Sequence, residues 1–145
     1  MLSNLHTLNL SGCHEITDKE ILNLSNLHTL HLNYCDRITN EGIKNLTNLQ
    51  ILDLRFCEKI TDSGLKLLVN LHTLNLCECK KKKKIKDEGI KNLPNLHTLD
   101  LTSCEKITNS GLKLIKNLHT LNLCKCNKIT DKGIAKLVNL KKIKR

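Results

Sequence analysis

Cysteine and histidine are the residues of this 145-residue chain with the most versatile chemistry, and both recur at regular spacing. Eight cysteines and seven histidines are enough to form a disulfide framework, a zinc site or a redox pair. Six cysteines are spaced 22 or 25 residues apart: Cys13, Cys35, Cys57, Cys79, Cys104 and Cys126. Five histidines share a second repeated position: His6, His28, His72, His97 and His119. What these side chains can do therefore depends on the elements that carry them.

The sequence is built on one repeat of 22 residues that starts with asparagine and leucine. The first residues of the repeats are Asn4, Asn26, Asn48, Asn70, Asn95, Asn117 and Asn139, so six units are complete and a seventh is partial. The first half of each unit alternates leucine with polar residues, as in residues 8–10, which predicts a strand with one buried face. The second half, as in residues 17–24, has helical spacing after a capping Thr, which predicts one or two helical turns.

A strand and a short helix within 22 residues cannot bury their apolar faces alone. Stacking successive units turns the leucines into a continuous core, with parallel strands about 4.8 Å apart. One Tyr, one Phe and no Trp leave leucine and isoleucine to fill that core. The sequence therefore predicts a single α/β domain over residues 1–145, a right-handed solenoid with a concave parallel sheet and short convex helices.

The repeat resembles the leucine-rich repeat family, and within it the cysteine-containing class found in F-box substrate receptors of ubiquitin ligases. The resemblance rests on the pattern L-x-x-L-x-L-x-x-C and on the Ile-Thr-Asp triplets that start at Ile16, Ile60 and Ile129. A glycine follows in five units, at Gly42, Gly64, Gly89, Gly111 and Gly133. The 22-residue units are shortened relative to that class. The resemblance implies a protein-binding solenoid and, more narrowly, substrate recognition in ubiquitin ligation.

The repeat restricts the chemistry of the cysteines. A ladder directs the six aligned thiols the same way, so we expect buried thiols whose S–H groups meet carbonyls of the neighbouring turn rather than disulfides. Cys77 and Cys124 precede Cys79 and Cys126 in C-x-C pairs, whose sulfurs point in different directions on a strand. We expect exposed thiols at Cys77 and Cys124, with a zinc or redox pair as the alternative.

The histidine column predicts half-exposed rings at the start of the strands, with a metal track or pH sensor as the alternative. If the rings stack closely, protonation places like charges in a row. The solenoid should then lose stability below pH 6.

A partner should bind where the exposed residues of the repeats differ. Tyr34 and Phe56 share one column in adjacent units, and Arg55 stands beside them. Aromatic residues and arginine commonly anchor protein interfaces. We predict a protein-binding patch on the concave face, with mutual packing of two aromatic residues as the alternative. The predicted residues are His31, Tyr34, Ile51, Asp53, Arg55, Phe56 and Asp100.

The net charge of +10 comes from two clusters, and the rest of the chain is neutral in sum. One cluster is the C-terminal Lys141, Lys142, Lys144 and Arg145, and the other is Lys80, Lys81, Lys82, Lys83, Lys84 and Lys86. The second cluster predicts a solvated loop, with docking to nucleic acid or an anionic membrane as the alternative. The concave columns are slightly acidic and offer few rings for base stacking, so the groove does not suit nucleic acid.

No set of catalytic residues is visible in the sequence, because it lacks a nucleophile elbow, a phosphate-binding glycine loop and a carboxylate pair unique to one position. We predict a scaffold without enzymatic activity, metal or cofactor. No signal sequence or spanning apolar run is visible, which predicts a cytoplasmic protein, with the nucleus as the alternative. The N-terminal leucine layer of Leu5, Leu8 and Leu10 has no obvious cap. This predicts either a fragment or end-to-end self-association.

Overall fold

Strands and one-turn helices alternate in the computed structural model, which describes residues 4–77 and 85–145. The strands are β1 (Thr7–Asn9), β2 (Thr29–His31), β3 (Ile51–Asp53), β4 (Thr73–Asn75), β5 (Thr98–Asp100), β6 (Thr120–Asn122) and β7 (Lys142–Lys144). The helices are α1 (Asp18–Ile21), α2 (Asn40–Ile43), α3 (Asp62–Leu65), α4 (Asp87–Ile90), α5 (Asn109–Leu112) and α6 (Asp131–Ile134). Cys79 and Lys80–Lys84 lie outside the described residues. No helix in the described ranges is long and apolar enough to cross a membrane.

The seven strands form one parallel sheet in chain order. Equivalent positions of neighbouring repeats pair with each other, as Leu8 does with Leu30. The lengthened fourth unit keeps this register, because Thr73 pairs with Thr98. The sheet on one side and the helices on the other confirm the predicted solenoid.

The core is a column of leucine and isoleucine side chains shared between repeats. In the second repeat, Leu30 of β2, Leu32 just after it and the helix residue Ile43 are fully buried. Their equivalents recur in the later repeats and belong to the same cluster. Leu8 in the first described repeat is only partly buried against that cluster. Burial therefore depends on neighbouring repeats, as expected for a unit too small to enclose its own core.

Each helix is a single turn of four residues, the lower end of the predicted range. The first helix is capped locally, because the Glu20 carboxylate accepts hydrogen bonds from the Thr17 backbone N–H and hydroxyl, both at 2.8 Å. The hydroxyl bond is the main reason that the pKa of Glu20 lies below its usual value.

In α1 to α5, the first residue of the helix also binds the repeat that follows. Asp18 Oδ1 and Oδ2 accept hydrogen bonds from the Thr39 backbone N–H at 2.8 Å and hydroxyl at 2.6 Å. Asn40 accepts from the Thr61 backbone N–H at 2.9 Å and donates its amide to the Thr61 hydroxyl at 2.8 Å. These bonds satisfy backbone N–H groups that a one-turn helix leaves without internal partners.

The same contact explains the glycine in the helices of repeats two to six. A Cβ on Gly64 would lie 2.5 Å from Asn40 Oδ1, and a Cβ on Gly42 would lie 2.5 Å from Asp18 Oδ1. In the first described repeat Glu20 occupies this position and caps Thr17 instead. The glycine is therefore required by the close approach of the preceding repeat.

The asparagine that opens each repeat forms another ladder. The side-chain amide of Asn48 donates to the Ser25 carbonyl at 2.9 Å, and that of Asn70 donates to the Thr47 carbonyl at 2.9 Å. Equivalent bonds come from Asn95, Asn117 and Asn139. The residue that marks the period in the sequence thus binds one repeat to the previous one, a role that sequence analysis did not assign.

We expect Gly64→Ala to lower the free energy of unfolding by about 1–3 kcal/mol, because the new Cβ displaces Asn40 and breaks its bonds to Thr61. Urea denaturation measures the loss. The same substitution in an Asn40→Ala background is the control and should cost less there. An equal loss in both backgrounds would contradict the role of the Asn40 contact.

Asp62 should make stability depend on pH, because burial raises the pKa of this half-buried carboxyl. A raised pKa in the folded state means that ionisation opposes folding, so stability increases as pH falls through that pKa. Asp62→Asn adopts the residue found at positions 40 and 109. We expect its melting temperature to exceed that of the unmodified protein at pH 7, with the difference shrinking toward about pH 4. A difference that stays constant over this range would contradict the account.

Candidate functional site

Tyr34 and Phe56 lie in the turns that follow β2 and β3, and their rings stack. The ring centroids are 4.1 Å apart and the planes differ by 8°. Tyr34 is 44% exposed and Phe56 is half-buried. Tyr34 and Phe56, which the sequence analysis places on the concave face, therefore lie in the turns at the C-terminal ends of the strands.

The backbone at these two positions is left-handed, with φ of 62° at Tyr34 and 60° at Phe56. Gly12 occupies the equivalent turn with φ of 79°. Such a conformation suits glycine and costs a bulky residue about 1–3 kcal/mol, while an offset aromatic pair returns about 0.5–1.5 kcal/mol. Ser103 and Lys125 also adopt it, so the repeat fixes the backbone there but not the choice of an aromatic residue.

Arg55 is held in place by Asp53, which is only 7% exposed. Asp53 accepts hydrogen bonds from the Arg55 backbone N–H at 3.1 Å, from Nε at 3.0 Å and from Nη2 at 2.7 Å. These side-chain bonds raise the pKa of Arg55. His31 Nδ1 lies 3.9 Å from Asp53 Oδ2. Asp53 thus orients Arg55 and presents no free negative charge to a partner.

Asp100 lies two strands away from Asp53 and has a different set of contacts. It accepts hydrogen bonds from the Thr102 backbone N–H at 2.8 Å and from the Asn122 amide at 3.0 Å. Asn9 and Asn122 bind the backbone N–H two residues later in the same way. This position is therefore a turn-forming Asx residue in most repeats, and its recurrence as Asn or Asp was the signal in the sequence.

The second repeat departs from the Asx pattern and leaves a buried polar atom. His31 replaces the Asx residue, and the buried Oδ1 of Asn33 has no hydrogen-bond partner. Ile51 of β3, which pairs with Thr29, is exposed although threonine holds that position in neighbouring strands. The predicted residues thus form one group around Tyr34 and Phe56, with Asp100 apart.

The aligned cysteines form a ladder of thiol hydrogen bonds to the previous repeat. The Sγ atom donates to the carbonyl of the leucine that follows the preceding strand, as in Cys35, which donates to Leu10 at 3.1 Å, and Cys126, which donates to Leu101 at 2.8 Å. Burial raises the pKa of the Cys35 and Cys126 thiols, which disfavours the reactive thiolate. Cys57 and Cys104 make the same kind of bond, whereas Cys13 in the first described repeat is exposed.

Cys77 and Cys124 are half-buried rather than exposed as expected. The seven cysteines in the described ranges are not in disulfides, and no group of three His, Cys, Asp or Glu residues there is arranged to hold a metal ion. Of the predicted basic loop, the described member is Lys86, whose backbone N–H donates to Asp62 Oδ1 at 2.8 Å.

The histidine column stacks in two groups separated by Gln50. The centroids of His72 and His97 are 5.3 Å apart, those of His97 and His119 are 5.2 Å apart, and His6 and His28 make a similar pair. The planes of His72 and His97 differ by 3°. Parallel rings about 5 Å apart cannot both direct in-plane lone pairs at one ion about 2.1 Å from each nitrogen. This geometry favours stacking over joint metal ligation.

Protonation of the stacked histidines should destabilise the fold. Positive charges on neighbouring rings whose centroids lie about 5 Å apart would repel by roughly 1 kcal/mol per pair. Lys141 holds the same position in the seventh unit, where its backbone N–H donates to the His119 carbonyl at 2.9 Å. We expect thermal melting between pH 7.5 and pH 5 to show a larger loss of stability for the unmodified protein than for His97→Gln, which copies Gln50. An equal loss of stability with falling pH in the two proteins would contradict the role of the stacked histidines.

A family model described as a leucine-rich repeat matches residues 2–19, 23–46, 45–69, 92–116 and 115–138. The chain therefore belongs to the leucine-rich repeat family. This fold supports a protein–protein interaction scaffold, and proteins of the family are generally non-enzymatic interaction modules. A comparison with curated proteins found no match.

Solved structures with the same fold include two proteins of Listeria monocytogenes. An internalin (inlF) has a TM-score of 0.71 and 27% identity over 98% of this chain and 41% of that chain. Internalin C2 has a TM-score of 0.68 and 31% identity over 98% of this chain and 63% of that chain. The chain thus spans less than two thirds of either internalin. A yeast structure of a Rad7 and Elc1 complex shares the fold, with a TM-score of 0.57 and 22% identity over 84% of this chain and 43% of that chain.

Proposed function

We propose that this protein is a non-enzymatic scaffold whose sheet side binds a protein partner through the aromatic patch, defined as His31, Tyr34, Ile51, Arg55 and Phe56. The observation that carries the proposal is the stacked pair of Tyr34 and Phe56 in left-handed turns. The fold accepts glycine there, so the strain of an aromatic residue is not needed for folding. Backbone strain that the fold does not require is concentrated at functional sites.

The aromatic patch has the composition and rigidity of a protein-binding centre. Tyr34 and Ile51 expose apolar surface, and the Arg55 side chain is 42% exposed. Because Asp53 already fixes the guanidinium, binding costs less side-chain entropy than it would for a free arginine. The suitable partner segment places an apolar side chain on the stacked rings and a carboxylate beside Arg55. Asp100 would contact such a partner only at the periphery.

The matched test replaces Tyr34 and Phe56 with glycine, the residue of the first repeat. Glycine removes the ring and the backbone strain together, so we expect the free energy of unfolding to change by no more than about 1 kcal/mol. Loss of two interface anchors should weaken partner capture at least about 30-fold. Affinity purification from the source cell, followed by mass spectrometry, identifies the proteins that the double variant no longer retains.

Lys125→Gly is the control, because it makes the same backbone change in the sixth repeat. It should retain every partner that the unmodified protein captures. Partners captured equally by the control and the Tyr34→Gly/Phe56→Gly variant would argue against the aromatic patch. Retention by the patch should also depend weakly on salt, whereas docking through the basic loop from Lys80 to Lys86 should weaken steeply as salt rises.

A narrower proposal, substrate recognition in ubiquitin ligation, rests on the aligned cysteines that the sequence shares with F-box receptors. The same purification tests it. Ligase subunits should be retained by the unmodified protein and by the Tyr34→Gly/Phe56→Gly variant, while the substrate is lost from the variant alone. Recovery of a partner without any ligase subunit would support the scaffold function but contradict a role in ubiquitin ligation.

A further inference from the structure

Positive charge is concentrated in the last two complete repeats to a degree that the two lysine clusters do not account for. Residues 105–145 contain eleven Lys and Arg residues against two acidic residues, Glu105 and Asp131. Residues 4–77 contain six basic residues against eight acidic residues. Only four of the eleven belong to the C-terminal cluster. The others lie on the fifth and sixth repeats themselves.

Three of these lysines meet on the helix side. Lys113, Lys132 and Lys136 line a surface cleft of about 250 Å³ together with Asn109 and Ser110. All three are exposed, and within the ranges that the structure describes they form no ion pair.

In the second and fourth repeats, a glutamate neutralises the lysine equivalent to Lys113. Lys44 pairs with Glu41 at 2.6 Å, and Lys91 pairs with Glu88 at 2.6 Å. Ser110 holds the glutamate position in the fifth repeat, and Lys132 holds it in the sixth. The positive charge at the cleft therefore arises from the absence of a glutamate beside Lys113 and from Lys132 at the glutamate position.

Exposed apolar residues lie among these lysines. Leu114 is 52% exposed and Val138 is 83% exposed. The repeats stack in register and α5 packs on α6, so equivalent positions of the fifth and sixth repeats are neighbours. Leu114 and Lys136 hold one such position, and Lys116 and Val138 hold another. Two adjacent repeats thus present leucine, valine and two lysines in alternation.

We propose that this basic helix surface, defined as Lys113, Leu114, Lys116, Lys132, Lys136 and Val138, docks on an anionic lipid bilayer. Lysines near an anionic membrane each favour binding roughly fivefold. Leucine and valine among them gain by entering the boundary between headgroups and acyl chains. A nucleic acid would satisfy the lysines but would leave Leu114 and Val138 in water. The aromatic patch belongs to β2, β3 and the turns after them, whereas the basic helix surface belongs to α5, α6 and the residues after them, so the two surfaces share no residue.

The test measures co-sedimentation with vesicles of phosphatidylcholine containing about 30 mol% phosphatidylserine, against vesicles of phosphatidylcholine alone. We expect binding to the anionic vesicles that falls as salt rises. Lys132→Glu changes the surface by two charges and should weaken binding roughly 25-fold. Glutamate already holds this position in the second and fourth repeats, as Glu41 and Glu88, so the fold should tolerate the substitution. Lys136→Asn, which copies Asn92, is a second charge variant and should weaken binding roughly fivefold.

Lys19→Glu is the matched control, because Lys19 holds the same position in the first repeat and the change in net charge is identical. It should change binding less than twofold. Leu114→Asn with Val138→Ser tests the apolar part and copies Asn92 and Ser25. At unchanged charge it should weaken vesicle binding roughly tenfold.

Three results would overturn the proposal. The first is an unmodified protein that sediments equally little with both kinds of vesicle. The second is an equal loss from Lys19→Glu and Lys132→Glu. The third is binding to duplex DNA that Lys132→Glu weakens, combined with vesicle binding that the Leu114 and Val138 changes leave intact, which would indicate a general polyanion surface. Circular dichroism melting of each variant verifies that the fold is retained.

Discussion

Polar contact between equivalent positions of successive repeats is the constraint on which the structure depends. The leucine core favours stacking but would tolerate small shifts along the stack. The hydrogen bonds do not, because the Cys35 thiol must reach the Leu10 carbonyl and Asp18 must reach the Thr39 N–H in the same register. A buried polar group left without its partner costs about 1–3 kcal/mol. The ladders therefore fix the register, and the core supplies most of the stabilisation.

This constraint divides the positions of the repeat into two kinds. Asparagine at the start, leucine in the strand and glycine in the helix are fixed by the previous repeat, and they show little of what the protein binds. Other positions accept residues of different types, as the left-handed turn accepts Gly12, Tyr34 and Lys125. Both proposed surfaces consist of positions of the second kind. One lies on the sheet side at repeats two and three, and the other lies on the helix side at repeats five and six.

The fold was predictable because its determinants are local and repeated. The period, the alternation around Leu8 and Leu10, and the shared layers follow from residue types and spacing, and the described structure confirms them. The candidate site was less predictable from the sequence than the fold. Tyr34 and Phe56 could be found as the only departures toward aromatic residues, but the burial of Asp53 behind Arg55 could not, because it depends on where the arginine side chain folds back.

By itself, the sequence determined the repeat, the strand and helix of each unit and the residues that face the core, since these depend on hydrophobic periodicity. Only the tertiary structure decided how side chains one repeat apart meet. It placed Asp18 against Gly42, stacked Tyr34 on Phe56 and left Lys132 and Lys136 without carboxylate partners in the described structure. The physical reason is that such contacts depend on distances across the stack, and residues 22 positions apart become neighbours only when the register is set.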